Sequence, residues 1–184
     1  MTALNGQNVH ESKFVRLLEE QIRHEFNAHQ QYVALAVWCD GMDLPRLAAH
    51  FYRQALEERN HAMMIVQYLL DQDIEVVVPG SDAPRGHFSV PVDAVKLALE
   101  QEREVSRQIV TLVKAARDES DFIGEQFMQW FLKEQVEEVS QMSTLLTVVE
   151  RAGDNYFEIE NFLAREAVGD DSATGAPPVA GGSV

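Results

Sequence analysis

A single cysteine, Cys39, in 184 residues leaves no partner for a disulfide within the chain and too few thiolates for a structural zinc site or an iron–sulfur cluster. Basic residues are also scarce: 15 Lys and Arg stand against 30 Asp and Glu, a formal net charge of -15 at pH 7. That deficit argues against nucleic acid or an anionic membrane as partner, and makes cations the natural counterpart. No apolar run approaches the roughly 20 residues that span a bilayer; the longest is Tyr32 to Trp38. The opening Met1-Thr2-Ala3-Leu4-Asn5-Gly6-Gln7 lacks the basic start and apolar stretch of a secretory signal, so the expected compartment is the cytoplasm.

What is present is apolar and periodic. Apolar residues make up 46% of the chain, and its length suits one domain with a substantial core. From about Ser12 to Cys39 the stripe Leu18, Ile22, Glu25, His29, Tyr32, Ala36 has the three- and four-residue spacing of a helix, with Ser12 placed to cap it. Asp40-Gly41-Met42-Asp43 reads as a break, with Gly41 free to take a left-handed conformation. A second helix starts near Leu44-Pro45, with Pro45 suited to its first turn. It runs to about Asp71 through Leu47, Phe51, Gln54, Glu58, His61, Ile65 and Leu69.

Residues 72–91 then lose the period, with Val76-Val77-Val78-Pro79-Gly80 followed by Pro84, Gly86 and Pro91. About twenty extended residues reach roughly 60 Å, whereas a 28-residue helix is about 42 Å long. The connection can therefore run the length of a bundle and start the third helix parallel to the second. That helix spans about Pro91 to Asp118 with the stripe Val95, Ala98, Glu102, Val105, Ile109, Leu112, Ala116. After the short Glu119-Ser120-Asp121, a fourth helix runs antiparallel to the third, to about Arg151, with Met128, Phe131, Gln135, Glu138, Met142, Leu145 and Val149 on one face. Gly153 ends it. A shorter amphipathic helix follows over Asn155 to Glu166. The predicted organisation is one all-α domain over 1–166, a four-helix bundle with a long crossover and a short fifth helix, and a flexible Gly-, Ala- and Pro-containing tail over 167–184.

Each long helix interrupts its own apolar stripe with an acid: Glu25, Glu58 with His61, Glu102, and Glu138. All four fall near mid-helix and should share one level of the bundle. An unpaired buried carboxylate costs several kcal/mol, on the order of 3–5, and four together repel one another. No Lys or Arg occupies a stripe position between Leu18 and Val149, which counts against a metal-free bundle with paired acids. Oxygen-rich ligands with one imidazole suit Fe, Mn or Zn, and carboxylates can bridge two ions. Clusters of this kind in helical bundles hold di-iron or di-manganese centres.

The segments Glu20-Gln21-Ile22-Arg23-His24-Glu25 with Tyr32, Glu57-Glu58-Arg59-Asn60-His61, Glu100-Gln101-Glu102-Arg103, and Gln129-Trp130-Phe131-Leu132-Lys133-Glu134-Gln135-Val136-Glu137-Glu138, taken in order, resemble the bacterial non-haem ferritins, most closely those of mycobacterial type. The likeness runs from about Phe14 to Glu166. It implies the ferritin-like fold, with one iron held by Glu25, Glu58 and His61, the other by Glu102 and Glu138, Glu58 bridging and Gln135 close by. It further implies that Tyr32 hydrogen-bonds within this shell, that Trp130 lies nearby, and that a third iron site uses Glu57, Glu134, Glu137 and Glu138. The activity implied is oxidation of two Fe(II) by dioxygen, with Fe(III) then stored as mineral inside a homo-oligomeric cage of 24 subunits. A di-iron oxidase of the same fold is the alternative.

Departures separate the chain from relatives. A bacterioferritin would place a haem-ligating Met where Arg59 stands and a second Glu-x-x-His where Gln135 and Glu138 stand, so no haem is expected. A rubrerythrin would need cysteine pairs. Weaker signals have plain explanations as well as functional ones. His29 reads as a hydrogen-bonded histidine more than a ligand, Met63 and Met64 as packing, and Cys39 as a small buried hydrophobe. Glu125 matches a position that lines three-fold channels in similar cages, with Asp121 one turn earlier, but both equally suit the first turn of a helix. The tail could dock to a larger compartment.

Overall fold

In the computed structural model, which describes residues 12–166 and 175–182, the periodic stretches become five helices. These are α1 (Lys13–Gly41), α2 (Pro45–Asp71), α3 (Pro91–Asp118), α4 (Phe122–Ala152) and α5 (Tyr156–Glu166). Side chains set their starts. Ser12 caps α1, its Oγ accepting from the Val15 N–H at 3.2 Å, and the Asp121 carboxylate accepts from the Gly124 N–H at 2.8 Å at the start of α4. The starts of α2 and α3 carry Pro45 and Pro91 and no cap of their own.

Acids distant in sequence complete two of these ends. Glu119 accepts from the Ser12 hydroxyl at 2.6 Å and from the Lys13 and Phe14 N–H groups at 2.7 and 3.3 Å. Burial opposes its ionisation, but those hydrogen bonds outweigh it and hold the carboxyl below the usual range. Glu160 of α5 accepts from the Arg46 and Leu47 N–H groups at 2.8 and 3.0 Å. Each carboxylate satisfies orphan donors at the positive end of a helix dipole.

The first turn corrects one expectation. Gly41 stays in α1, and the left-handed residue is Asp43 (φ 57°). Asp tolerates this region because its short polar side chain bonds locally. Gly153 does close α4, at φ 56°.

Pairings across helices give the topology. Ser12 meets Glu119 and Tyr32 meets Glu102, so α1 and α3 run antiparallel. Tyr68 stacks on Phe127 with ring centres 4.2 Å apart, and His61 meets Trp130 at 5.6 Å, so α2 and α4 run antiparallel. The tight turn at 42–44 makes α1 and α2 antiparallel, and α2 and α3 are therefore parallel, as the crossover length requires. Two amides one turn apart on α1 pin the crossover. Asn27 donates to the Asp82 carboxylate at 2.9 Å and accepts from the Asp82 N–H at 2.8 Å. Gln31 donates to the Arg85 carbonyl at 2.8 Å and accepts from its N–H at 2.9 Å. Gln31 meets a backbone donor and acceptor together and Asn27 a backbone donor and a carboxylate, so these points of the irregular segment are satisfied without a strand.

The core has two apolar halves. One gathers Phe14, Leu18, Ile22, Ile65, Leu69, Ile109, Leu112, Met128 and Phe131; the other gathers Leu35, Cys39, Leu47, Phe51, Val95, Ala98, Met142, Leu145 and Val149, with Ile159 and Leu163 of α5. Burying each large side chain contributes roughly 1.5–3 kcal/mol. Between the halves lies a buried polar layer of Gln21, Glu25, Gln54, Glu58, His61, Glu102, Gln135 and Glu138. The last described segment also differs from the expected unpacked tail. The Ala180 N–H donates to the Met63 carbonyl at 3.2 Å, and Ala180 and Val179 pack on the first half-core. Two small apolar side chains suffice for that contact. Residues 167–174 and 183–184 of the tail lie outside the described residues. No described helix is long and apolar enough to cross a membrane.

Candidate metal centre

Four helices each contribute to one layer. Glu25 from α1 and Glu102 from α3 are fully buried, and Glu58 and His61 from α2 are 1% and 4% exposed. Glu138 and Gln135 from α4 are each 5% exposed. One ligand atom each from Glu25, Glu58 and His61 lies within 4.8 Å of the others, close enough to share an ion. His61 Nδ1 is 3.6 Å from Glu58 Oε2, and the imidazole is walled by the edges of Trp130 and Phe131 at 5.6 and 5.7 Å.

The polar shell is incomplete where a cation would sit. Gln21 donates to Glu25 Oε1 at 2.9 Å. Glu102 receives the Tyr32 hydroxyl on Oε1 and the Gln135 amide nitrogen on Oε2 at 3.4 Å. Yet Glu25, Glu58 and Glu138 each bury an Oε2 that has no hydrogen-bond partner. The orphan oxygens of Glu25 and Glu58 beside the His61 imidazole form a hard donor set of the kind that iron, manganese or zinc accepts, and Glu138 adds a third orphan oxygen to the layer. The Lys and Arg ion pairs Arg23–Asp82, Lys96–Glu150, Arg107–Glu104 and Lys133–Glu137 lie on exposed faces.

Electrostatics point the same way. Burial, then the Glu58 carboxylate, pushes Glu25 well above the ordinary carboxylate range. Burial and then Glu102 push Glu58 up strongly, and burial with Glu57, Glu102 and Glu134 does the same to Glu138. Burial also raises Glu102, against the lowering effect of the Tyr32 hydrogen bond. Tyr32 is itself pushed up by burial and by Glu102. Burial and mutual repulsion thus disfavour the ionised form of all four acids, and a bound cation would favour it.

The acids expected at a third position are more scattered. Glu57 is half-buried and accepts from the Gln54 amide, and Glu134 is half-buried and raised by burial. Glu137 is exposed and pairs with Lys133 at 3.9 Å. His29 Nδ1 bonds the Ala55 carbonyl at 2.7 Å, across to α2. Glu125 is held by the Arg117 guanidinium at 2.5 Å, and Asp121 is the α4 cap. Cys39 is buried, its thiol pushed up to about 12 by burial. Sequence spacing alone did not single out Gln21, which also donates to Gln108 Oε1 at 3.3 Å, or Ser106, whose Oγ lies 2.8 Å from Gln135 Oε1. The signal that finds Gln21 and Ser106 is a polar side chain four residues from a stripe acid.

The profile of the ferritin-like domain matches residues 15–152. Ferritin BfrB of Mycolicibacterium smegmatis is 59% identical over 95% of this chain and 96% of its own. The bacterial non-heme ferritin of Staphylococcus aureus is 36% identical over 75% of this chain and 83% of its own. The fold also matches the open pore ferritin of Archaeoglobus fulgidus with a TM-score of 0.82, at 24% identity over 89% of this chain and all of that one. Domain match, sequence identity and fold agree: the chain belongs to the ferritin family of iron-storage proteins.

Proposed function

We propose that this protein oxidises Fe(II) with dioxygen at a dinuclear centre in the four-helix layer and stores the Fe(III) as mineral within a cage of 24 copies. The observation that carries the reading is the buried cluster of Glu25, Glu58 and His61, in which both acids keep an oxygen without a hydrogen-bond partner. Glu25, Glu58 and His61 hold one iron, Glu102 and Glu138 the other, and Glu58 bridges them. Gln135 and Tyr32 set the orientation of Glu102. Two ions are chemically apt, because each Fe(II) gives one electron and reduction of dioxygen with two protons to hydrogen peroxide takes two.

Iron here is substrate and cargo. The residues bind it, hold it out of bulk water between two apolar halves, and release protons as it arrives. Glu57, Glu134 and Glu137, with Glu138, provide a third iron position, supported by the coulombic effects of Glu57 and Glu134 on Glu138 and of Glu137 on Glu134. Haem is not part of the reading, since Arg59 follows Glu58. The net charge of -15, multiplied over many copies, favours accumulation of cations at the walls.

The test is aerobic Fe(II) oxidation by metal-free protein beside a Glu58→Ala, His61→Ala double variant, with products sized by light scattering. Fast oxidation in the wild type alone, with iron retained in a large soluble particle, is expected. Equal rates would remove the proposed centre, and turnover without retained mineral would favour a di-iron oxidase.

A further inference from the structure

Ser106 sits one helical turn after Glu102 on α3, half-buried, and has no ligand role in the reading above. Its Oγ lies 2.8 Å from the Glu102 main-chain carbonyl and 2.8 Å from Gln135 Oε1 on α4. A hydroxyl has one proton and two lone pairs, so it donates to one of these oxygens at a time and accepts from a third group. Gln135 in turn directs Nε2 toward Glu102 Oε2, at 3.4 Å.

With no cation present this orientation is the favoured one. The N–H end of the amide dipole faces a cluster of acids, and its oxygen faces Ser106. An amide nitrogen cannot ligate a metal, and a cation beside Glu102 reverses the preference by attracting the oxygen and repelling the N–H end. Turning the amide over exchanges the two ends, and Nε2 then needs an acceptor where Oε1 stood. Ser106 Oγ supplies it if its own proton goes to the Glu102 carbonyl, already at 2.8 Å. A side chain that only donates, or only accepts, would serve one orientation and penalise the other.

Resting on the dinuclear reading, we infer that Ser106 is a positioning residue whose hydroxyl supports the Gln135 amide in both orientations, nitrogen toward Glu102 without metal and oxygen toward the second cation with it. Glu102 already has both oxygens engaged, whereas Glu25 and Glu58 each keep one unpartnered. At the second position Glu138 also keeps one, so Glu102 is the ligand whose shell must rearrange on loading, and Ser106 acts there.

The probe is Co(II), titrated anaerobically into the full metal-free protein and followed by its visible absorption, with thermal melting as the check on folding. In Ser106→Ala both orientations lose the hydroxyl, but the bound one leaves an amide N–H without an acceptor, which costs more than the carbonyl left without a donor in the metal-free one; the second equivalent should bind about threefold more weakly, with the first equivalent unchanged. Ser106→Thr, which keeps the hydroxyl, should restore binding. In a Gln135→Met background, Ser106→Ala should change nothing further, because Ser106 acts through the amide. An unaltered second equivalent in Ser106→Ala, a Thr variant as weak as the Ala one, or an equal loss in the Gln135→Met background would overturn the role. Ser106→Cys, close in size and a poor hydrogen-bonder, gives the same reading if the Ala variant fails to fold. A wild type that binds fewer than two equivalents per chain would instead sink the dinuclear reading itself.

Discussion

Replacing Glu58 by Gln should make the metal-free protein more stable at neutral pH, and the gain should grow as pH rises. Glu58 is 1% exposed, has an unpartnered Oε2, and is raised by burial and by Glu102. A carboxyl whose folded pKa lies above its unfolded value binds its proton more tightly when folded. Its contribution to stability is full below the unfolded pKa and is lost as pH rises through the folded one. Each extra proton held by the folded state gives a slope of about 1.4 kcal/mol per pH unit. Gln keeps the shape and removes one such site. The variant should therefore match the wild type near pH 5 and exceed it by on the order of 2 kcal/mol near pH 7.

Denaturant unfolding of both metal-free proteins from pH 5 to 8, followed by circular dichroism, measures the difference; groups distant from Glu58 cancel, and Glu25, relieved of its neighbour's charge, adds in the same direction. Saturating Zn(II) should invert the order. At 100 times Kd a ligand adds about 2.7 kcal/mol to the state that binds it, and only the wild type retains the full donor set. A metal-free Glu58→Gln protein that is less stable than wild type at pH 7.5, or a difference that does not change with pH, would refute the reasoning.

Tyr32→Phe keeps the ring packed against Phe51 but removes the hydroxyl donated to Glu102; stopped-flow absorbance should show Fe(II) oxidation slowed by about tenfold, the scale of a charge-assisted hydrogen bond, with melting nearly unchanged. Gly124→Ala would set a Cβ 2.3 Å from Phe14 Cε1, and Phe14 is fully buried, so denaturant unfolding should show a loss of about 1–3 kcal/mol. His50, pushed down to about 4 by burial and then by Arg53, buries an unpartnered Nε2. Its neutral ring supports the fold above the unfolded pKa near 6.5, and that support is lost as pH falls toward 4. His50→Gln should accordingly flatten the acid limb of the stability profile by at most about 3 kcal/mol, less where water reaches the ring. Glu119→Ala strips the acceptor from the start of α1 and should lower stability by about 1 kcal/mol, with faster amide exchange at Lys13 and Phe14.

The helices were legible because each carries a long apolar stripe, and their ends because Ser12, Pro45, Pro91, Asp121 and Gly153 act through local geometry. The candidate acids were legible for the same reason: Glu25, Glu58, Glu102 and Glu138 occupy positions where helical periodicity demands burial, and a buried acid needs a reason. Gly41 misled because conformational freedom permits a left-handed turn without imposing one, and the chain placed it at Asp43.

Sequence by itself therefore determined which residues go inside and on which helix, since that depends on a period of 3.6 residues and on the cost of burying charge. Only the tertiary structure decided which side chains meet. The Glu119 and Glu160 caps, the Asn27 and Gln31 clamps on the crossover, and the Ser106–Gln135–Glu102 bonds join residues 29 to 114 positions apart. No local pattern encodes such pairs; they follow from how the helices pack, and they fix which carboxylate oxygens are left for a cation.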